Sequence, residues 1–184
     1  FNMIIKNALV FGKDFEPEIT DIIIDGEKFG TIGKTDKDGL DFSGCIAIPG
    51  FIDIHIHGCN MADATDGNPD SAAKMSKWLA QNGITSFCPT TMTISVDDLK
   101  KSFGYISETM GKEEGAYIHG INMEGPFISM AKKGAQNGKY IHKADVEMFD
   151  RLQKEAGGLF KLVDIAPEEN NDNSFKWNDL DKPQ

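Results

Sequence analysis

The chain has 184 residues, 40% hydrophobic and 26% charged, a balance that supports a sizeable folded core and excludes a wholly disordered polypeptide. A formal net charge of −10 opposes binding to nucleic acid, which needs clustered Lys and Arg, and there is no basic stripe for a membrane surface. No run approaches the ~20 consecutive apolar residues of a membrane span, and the first residues lack the basic start and long apolar run of a signal peptide, so a cytoplasmic protein is expected.

Residues 3–11 and 19–33 are β-branched runs punctuated by Gly and Asp, and they predict a short antiparallel meander with a turn at Asp25-Gly26. From Ala47 the rhythm changes. Ala47–His57 has the apolar density of a strand buried on both faces. A helix is expected next, with Asn68 as N-cap, Pro69 at its first position and Ala72, Met75, Trp78 and Leu79 on the buried side, closing near Gly83. Strand Ile84–Cys88 follows, then a helix capped by Ser95 that carries Asp97 and Asp98 in its first turn and buries Leu99, Phe103, Ile106 and Met110 before Gly111. Tyr117–Glu124 is the third strand, Asp145–Ala156 the third helix with Met148, Phe149 and Leu152 inward, and Leu159–Ala166 the fourth strand. Cys45, Cys59 and Cys88 are widely spaced and odd in number, so they are expected to be ordinary small interior side chains.

Alternating strands and helices imply α/β architecture with a parallel sheet. A complete eight-stranded barrel takes roughly 250 residues. The expectation is therefore a truncated (β/α) barrel of TIM type, with about its first four strand–helix units. The domains then read as a partial small β domain of the sandwich type over 1–46, the half barrel over 47–168, and a polar tail over 169–184 that is disordered or non-native.

In Phe51-Ile52-Asp53-Ile54-His55-Ile56-His57, alternation puts Asp53, His55 and His57 on one face and three isoleucines on the other. On an antiparallel sheet such a polar face simply meets water. On a parallel sheet covered on both sides the groups need partners, and two imidazoles at i, i+2 can converge on one cation. Glu124 ends the third strand before Gly125-Pro126 and points the same way as Asn122, whereas His119 has the opposite parity. His119 reads as a structural histidine and His142 as a solvated loop residue. Lys132-Lys133-Gly134 could attract an anion or simply be solvated.

Pro49-Gly50-Phe51-Ile52-Asp53-Ile54-His55-Ile56-His57-Gly58 resembles the signature of the amidohydrolase superfamily. The segments Gly83–Thr90, Met123-Glu124-Gly125-Pro126-Phe127, Lys132–Asn137 and Asp164-Ile165-Ala166-Pro167-Glu168, in that order, are similar to the N-acetylglucosamine-6-phosphate deacetylases. The resemblance covers residues 3–168 and implies hydrolysis of the acetamide of an amino-sugar phosphate with a divalent metal, zinc or iron. It implies Glu124 as the principal metal ligand, His55 and His57 as ligands of a second metal, and Ala135 and Gln136 in a loop that contacts the sugar. Asn122 and Gln136 stand where many relatives carry histidine. Two further metal-binding histidines, the catalytic aspartate and the partners that orient the imidazoles are expected beyond Gln184, so the isolated chain is expected to be inactive. A dihydroorotase or hydantoinase would need a modified lysine on the fourth strand, and Lys161 sits at the wrong end of it. The other alternative is a non-catalytic half barrel whose open edge pairs with a second copy; a homo-oligomer is expected in either case.

Overall fold

The structure, a computed structural model, describes residues 2–12 and 14–170. The chain divides after Pro49 into two units. In the first, β1 (Asn2–Phe11) pairs antiparallel with β2 (Pro17–Asp25), and β2 pairs antiparallel with β3 (Lys28–Ile32) around the expected turn. Two very short strands, β4 (Leu40–Asp41) and β5 (Ile46–Ala47), add to the free side of β1 in parallel. Ala8, Val10 and Ile22 form the small core between them.

Asp21 is buried in this unit, and its carboxylate is fully used. It accepts the backbone N–H groups of Asn7 and Thr35, both at 2.9 Å, and lies 3.1 Å from Lys6 Nζ and 3.7 Å from Lys34 Nζ. Asn7 adopts φ 60° at a bulge in β1, which aims its N–H at the carboxylate. Those two backbone donors, more than the lysines, hold the Asp21 carboxyl well below the usual carboxylate range. A lowered folded-state pKa means that the contribution to stability is complete above the unfolded value of ~3.9 and is lost as pH falls below it. Asp21→Asn is therefore expected to lower the urea midpoint near neutral pH, and the gap from wild type should close under acid. A gap independent of pH would contradict the charge-based account.

The second unit contains β6 (Phe51–Ile56), the hairpin β7 (Gly58–Cys59) and β8 (Ala62–Asp63), and α1 (Ser71–Gln81). It continues with β9 (Ile84–Pro89), α2 (Val96–Thr109), β10 (Tyr117–Ile118), β11 (Ile121–Glu124), α3 (Val146–Glu155) and β12 (Phe160–Asp164). The order β10-β9-β6 is parallel, β11 and β12 form a second parallel pair, and a Thr90–Asn122 bridge links the two. The third strand is thus split. His119-Gly120 interrupts it, its first half pairing with β9 and its second with β12; a Cβ on Gly120 would fall 2.6 Å from the Leu159 carbonyl.

Capping follows local chemistry where no rival bond exists. Ser95 Oγ accepts the Asp98 N–H at 3.2 Å, and Asp145 accepts that of Met148 at 3.0 Å. Asn68 does not cap α1. Its side chain accepts the Asp70 N–H and Asp66 holds the Ser71 hydroxyl, so the polar run builds a turn and the helix starts at Ser71. Trp78 is 41% exposed rather than inward, and its expected place on the buried side goes to Ser76. Ser76 Oγ donates to the Ala116 carbonyl at 2.8 Å while the Ala116 N–H donates back to the Ser76 carbonyl at 2.9 Å. Gly115 permits that approach, since a Cβ there would sit 2.4 Å from the Ser76 oxygen.

Met75, Phe87, Leu99, Phe103, Ile118 and Met123 anchor the core between helices and strands. The expectation of a first barrel strand buried on both faces fails. Phe51, Ile52 and Ile54 are 63%, 59% and 56% exposed, because β6 is an edge strand with β9 as its only partner among the described residues. Cys45 is exposed, unlike Cys59 and Cys88. Of the expected tail, Glu169 and Asn170 belong to the folded part. Ser129 donates to Glu169, and the Asn170 side chain exchanges two 3.0 Å bonds with the Ala144 backbone. Residues 171–184 of that tail lie outside the described residues.

Candidate metal site

The end of β6 is fixed to the residue after β9. Ile56 N donates to Thr90 Oγ1 at 2.9 Å, and Thr90 N donates to the Ile56 carbonyl at 2.8 Å. Alternation then carries His55 and His57 to the carboxy-terminal end of the sheet, where β11 delivers Glu124. Glu124 Oε2 lies 3.0 Å from His55 Nε2 and 2.8 Å from His57 Nε2, and the two rings meet edge-on with centroids 5.2 Å apart. Exposures of 46%, 32% and 21% for His55, His57 and Glu124 leave the centre open to a ligand from solvent.

The donor set suits a divalent metal. Two imidazole nitrogens and one carboxylate oxygen within 4.8 Å of one another match a borderline cation such as zinc or iron(II). At 3.0 and 2.8 Å from Glu124 Oε2, the two imidazole nitrogens stand somewhat closer to it than the ~3.3–3.6 Å between donors on tetrahedral bonds of ~2.0–2.2 Å. The imidazoles are also supported from behind, contrary to the expectation that their orienting partners lie outside the chain. His57 Nδ1 is 3.2 Å from the Thr90 carbonyl; His55 Nδ1 is 3.3 Å from both Asn122 Nδ2 and Asp164 Oδ2. Asn122 is buried and also donates to the Ile54 carbonyl at 3.0 Å.

A groove of about 280 Å³ opens beside the centre, walled by His55, Glu124, Ser129, Lys132, Lys133 and Asp164. Ala135 and Gln136 do not line it. Ala135 is exposed, and the buried Gln136 side chain accepts the Thr93 N–H at 2.6 Å, which ties down the loop instead of facing the groove. His119 is exposed with its ring against Tyr117, and His142 is exposed. Burial, and secondarily the Asp53 carboxylate, pushes the Cys59 and Cys88 thiols up, so neither is a prepared nucleophile. Asp164 was not singled out from the sequence as a site residue. Its signal was an acidic residue at the end of the strand after Glu124's, directly before the Ile-Ala-Pro turn.

An α/β unit whose His-x-His strand meets a glutamate from another parallel strand end has the donor set of a metal-dependent enzyme. The amidohydrolase family profile matches residues 46–177, and the chain belongs to the amidohydrolase family, whose members are metal-dependent. N-acetylglucosamine-6-phosphate deacetylase of Bacillus subtilis is 42% identical over 128 residues, covering 67% of this chain and 32% of the relative. The deacetylase of Lysinibacillus sphaericus is 32% identical over 175 residues, 92% of this chain and 45% of the relative. Among solved structures, the deacetylase of Pasteurella multocida superposes with a TM-score of 0.81 at 22% identity, over 92% of this chain and 46% of that one. That of Thermotoga maritima gives 0.75 at 26% identity, over 92% and 44%. The chain thus spans less than half the length of these relatives.

Proposed function

We propose that this chain supplies one part of the active site of an amidohydrolase that deacetylates N-acetylglucosamine 6-phosphate to glucosamine 6-phosphate and acetate. The observation that carries the reading is the convergence of His55, His57 and Glu124 on one point at the carboxy-terminal end of a parallel sheet. Similarity to deacetylases from several organisms supports the substrate class. In this reading, residues 1–46 belong to a small β domain and 47–168 to the first half of a (β/α) barrel. A phosphorylated sugar does not cross membranes unaided, which supports a cytoplasmic enzyme.

His55, His57 and Glu124 would hold the cation, with zinc or iron as the candidates that fit the donors. When bound, the metal supplies Lewis-acid activation of water and of the amide carbonyl. The chain's own residues do the rest of the positioning. Thr90 fixes His57, Lys132 and Lys133 bring positive charge to the groove wall where an anionic sugar can lie, and Gln136 ties the loop that carries them to the Thr93 backbone. The proton-transferring aspartate that the family resemblance implies comes from a later strand than any among the described residues.

The protein carrying this segment at the length of its relatives is expected to release acetate from N-acetylglucosamine 6-phosphate faster than from the unphosphorylated sugar. A polypeptide of these 184 residues alone should stay near the assay floor, because loss of a proton-transfer group costs orders of magnitude in hydrolases. Equal rates on the two sugars, or ring opening of dihydroorotate in their place, would overturn the assignment.

A further inference from the structure

Both imidazoles present the same atom, Nε2, to Glu124 Oε2, so Nδ1 of each ring faces away from the centre. Behind His57 that outward atom meets the Thr90 carbonyl, which can only accept. With a cation in front of Nε2, the proton of neutral His57 sits on Nδ1 against that carbonyl; without one, Glu124 Oε2 at 2.8 Å is a rival acceptor for it at Nε2. Behind His55 the demands conflict. Asn122 Nδ2 offers a proton and Asp164 Oδ2 requires one, each at 3.3 Å.

Once a cation takes Nε2 from Glu124 Oε2, which stands 3.0 Å away, the ring proton belongs on Nδ1, and two observations settle the conflict there in favour of Asp164. Asn122 Nδ2 already donates to the Ile54 carbonyl at 3.0 Å, so it does not depend on His55. Asp164 Oδ2 is buried and has no hydrogen-bond partner, and a carboxylate oxygen withdrawn from water without a donor is the costlier group to leave unmet. An N–H donated to a carboxylate is also charge-assisted, which an amide donating to a neutral ring is not. The 3.3 Å separation is just beyond the ordinary N–H···O range of ~2.7–3.2 Å, so a small ring rotation completes the bond.

We infer that Asp164 is a positioning residue of the cation site: its carboxylate takes the Nδ1 proton of His55 and thereby reserves Nε2 for the metal. The arrangement follows from the register, in which Glu124 pairs directly with Asp164 across β11 and β12. One carboxylate thus stands in front of the His55 ring and one behind it. The inference rests on the metal reading of the centre, and its test separates the two.

The test uses the 184-residue chain as wild type, Asp164→Ala and Asp164→Asn. Zinc affinity, measured by competition with a chromogenic chelator, is expected to fall ~10–100-fold in Asp164→Ala and less in Asp164→Asn, which keeps an acceptor oxygen. Long-range ¹⁵N–¹H NMR of the zinc-loaded protein should show the His55 Nδ1 proton far downfield in wild type, as donation to a carboxylate requires, and moved upfield in Asp164→Ala, with the His57 Nδ1 proton unchanged as the internal control. Wild-type zinc affinity together with an unmoved His55 proton in Asp164→Ala would overturn the inference. Failure of the wild type to take up zinc would overturn the metal reading instead, and with it the inference that rests on it. Should Asp164→Ala not fold, undiminished zinc affinity in Asp164→Asn counts against the inference and a loss counts for it.

Discussion

A chain carrying His55→Ala and His57→Ala together is expected to lose tight binding of one zinc equivalent, with affinity falling more than ~100-fold. Removing a partner that merely orients a metal-bound histidine costs ~10–100-fold, and here two of the three donors themselves disappear. Glu124 alone offers one carboxylate on a side chain 21% exposed, which competes poorly with water for a divalent ion. The fold should survive, since both rings are partly exposed and neither belongs to the core cluster. Equilibrium dialysis with metal analysis, alongside circular dichroism, checks both parts. Undiminished zinc in the double variant would place the ion elsewhere, with the Asp63–Asp66 turn as the next place to look.

The second large effect is on stability. Phe103→Ala is expected to cost ~3–5 kcal/mol, read from the urea midpoint. Phe103 is 1% exposed, and its ring meets the edge of Phe160 at 5.1 Å, so it joins α2 to the start of β12. Removing it leaves a cavity bounded by a helix and a strand that cannot both relax into it, and it forfeits the aromatic contact as well. A loss under ~1 kcal/mol would show that α2 does not pack on β12 through this residue.

The sequence makes legible what depends on neighbours along the chain. The Ser95 and Asp145 caps are local hydrogen bonds, and the shared face of His55 and His57 is a property of any strand. Asn68 misleads because two local bonds compete: an Asx turn through Asp66 and Asn68 wins over a cap, and the helix begins later. The two-residue strands β4 and β5 are invisible because their pairing with β1 is parallel and distant in sequence. The exposure of Ile52 and Ile54 is likewise set by what lies beside β6, which no pattern within the strand encodes. At the site, the family resemblance directs attention to Ala135 and Gln136 as sugar contacts; the first is exposed, and the side chain of the second accepts the Thr93 N–H, a long-range bond that no local pattern announces. Asp164 is missed for the opposite reason. Its role arises only when the register of β11 and β12 sets it level with Glu124.

The separation between the converging side chains also orders events during synthesis. His55 and Glu124 are 69 residues apart, and the ring of His55 touches Asp164 farther on still. None of the intervening local structure, neither α1 nor the Ser95-capped α2, brings these groups together on its own. A chain emerging from the ribosome can form those helices early but holds no cation cradle until β11 has docked, and no brace behind His55 until β12 has joined it. On the proposed metal reading, cation capture comes late: it needs β6 and β11 brought together, and a bound ion reports that this long-range closure has taken place.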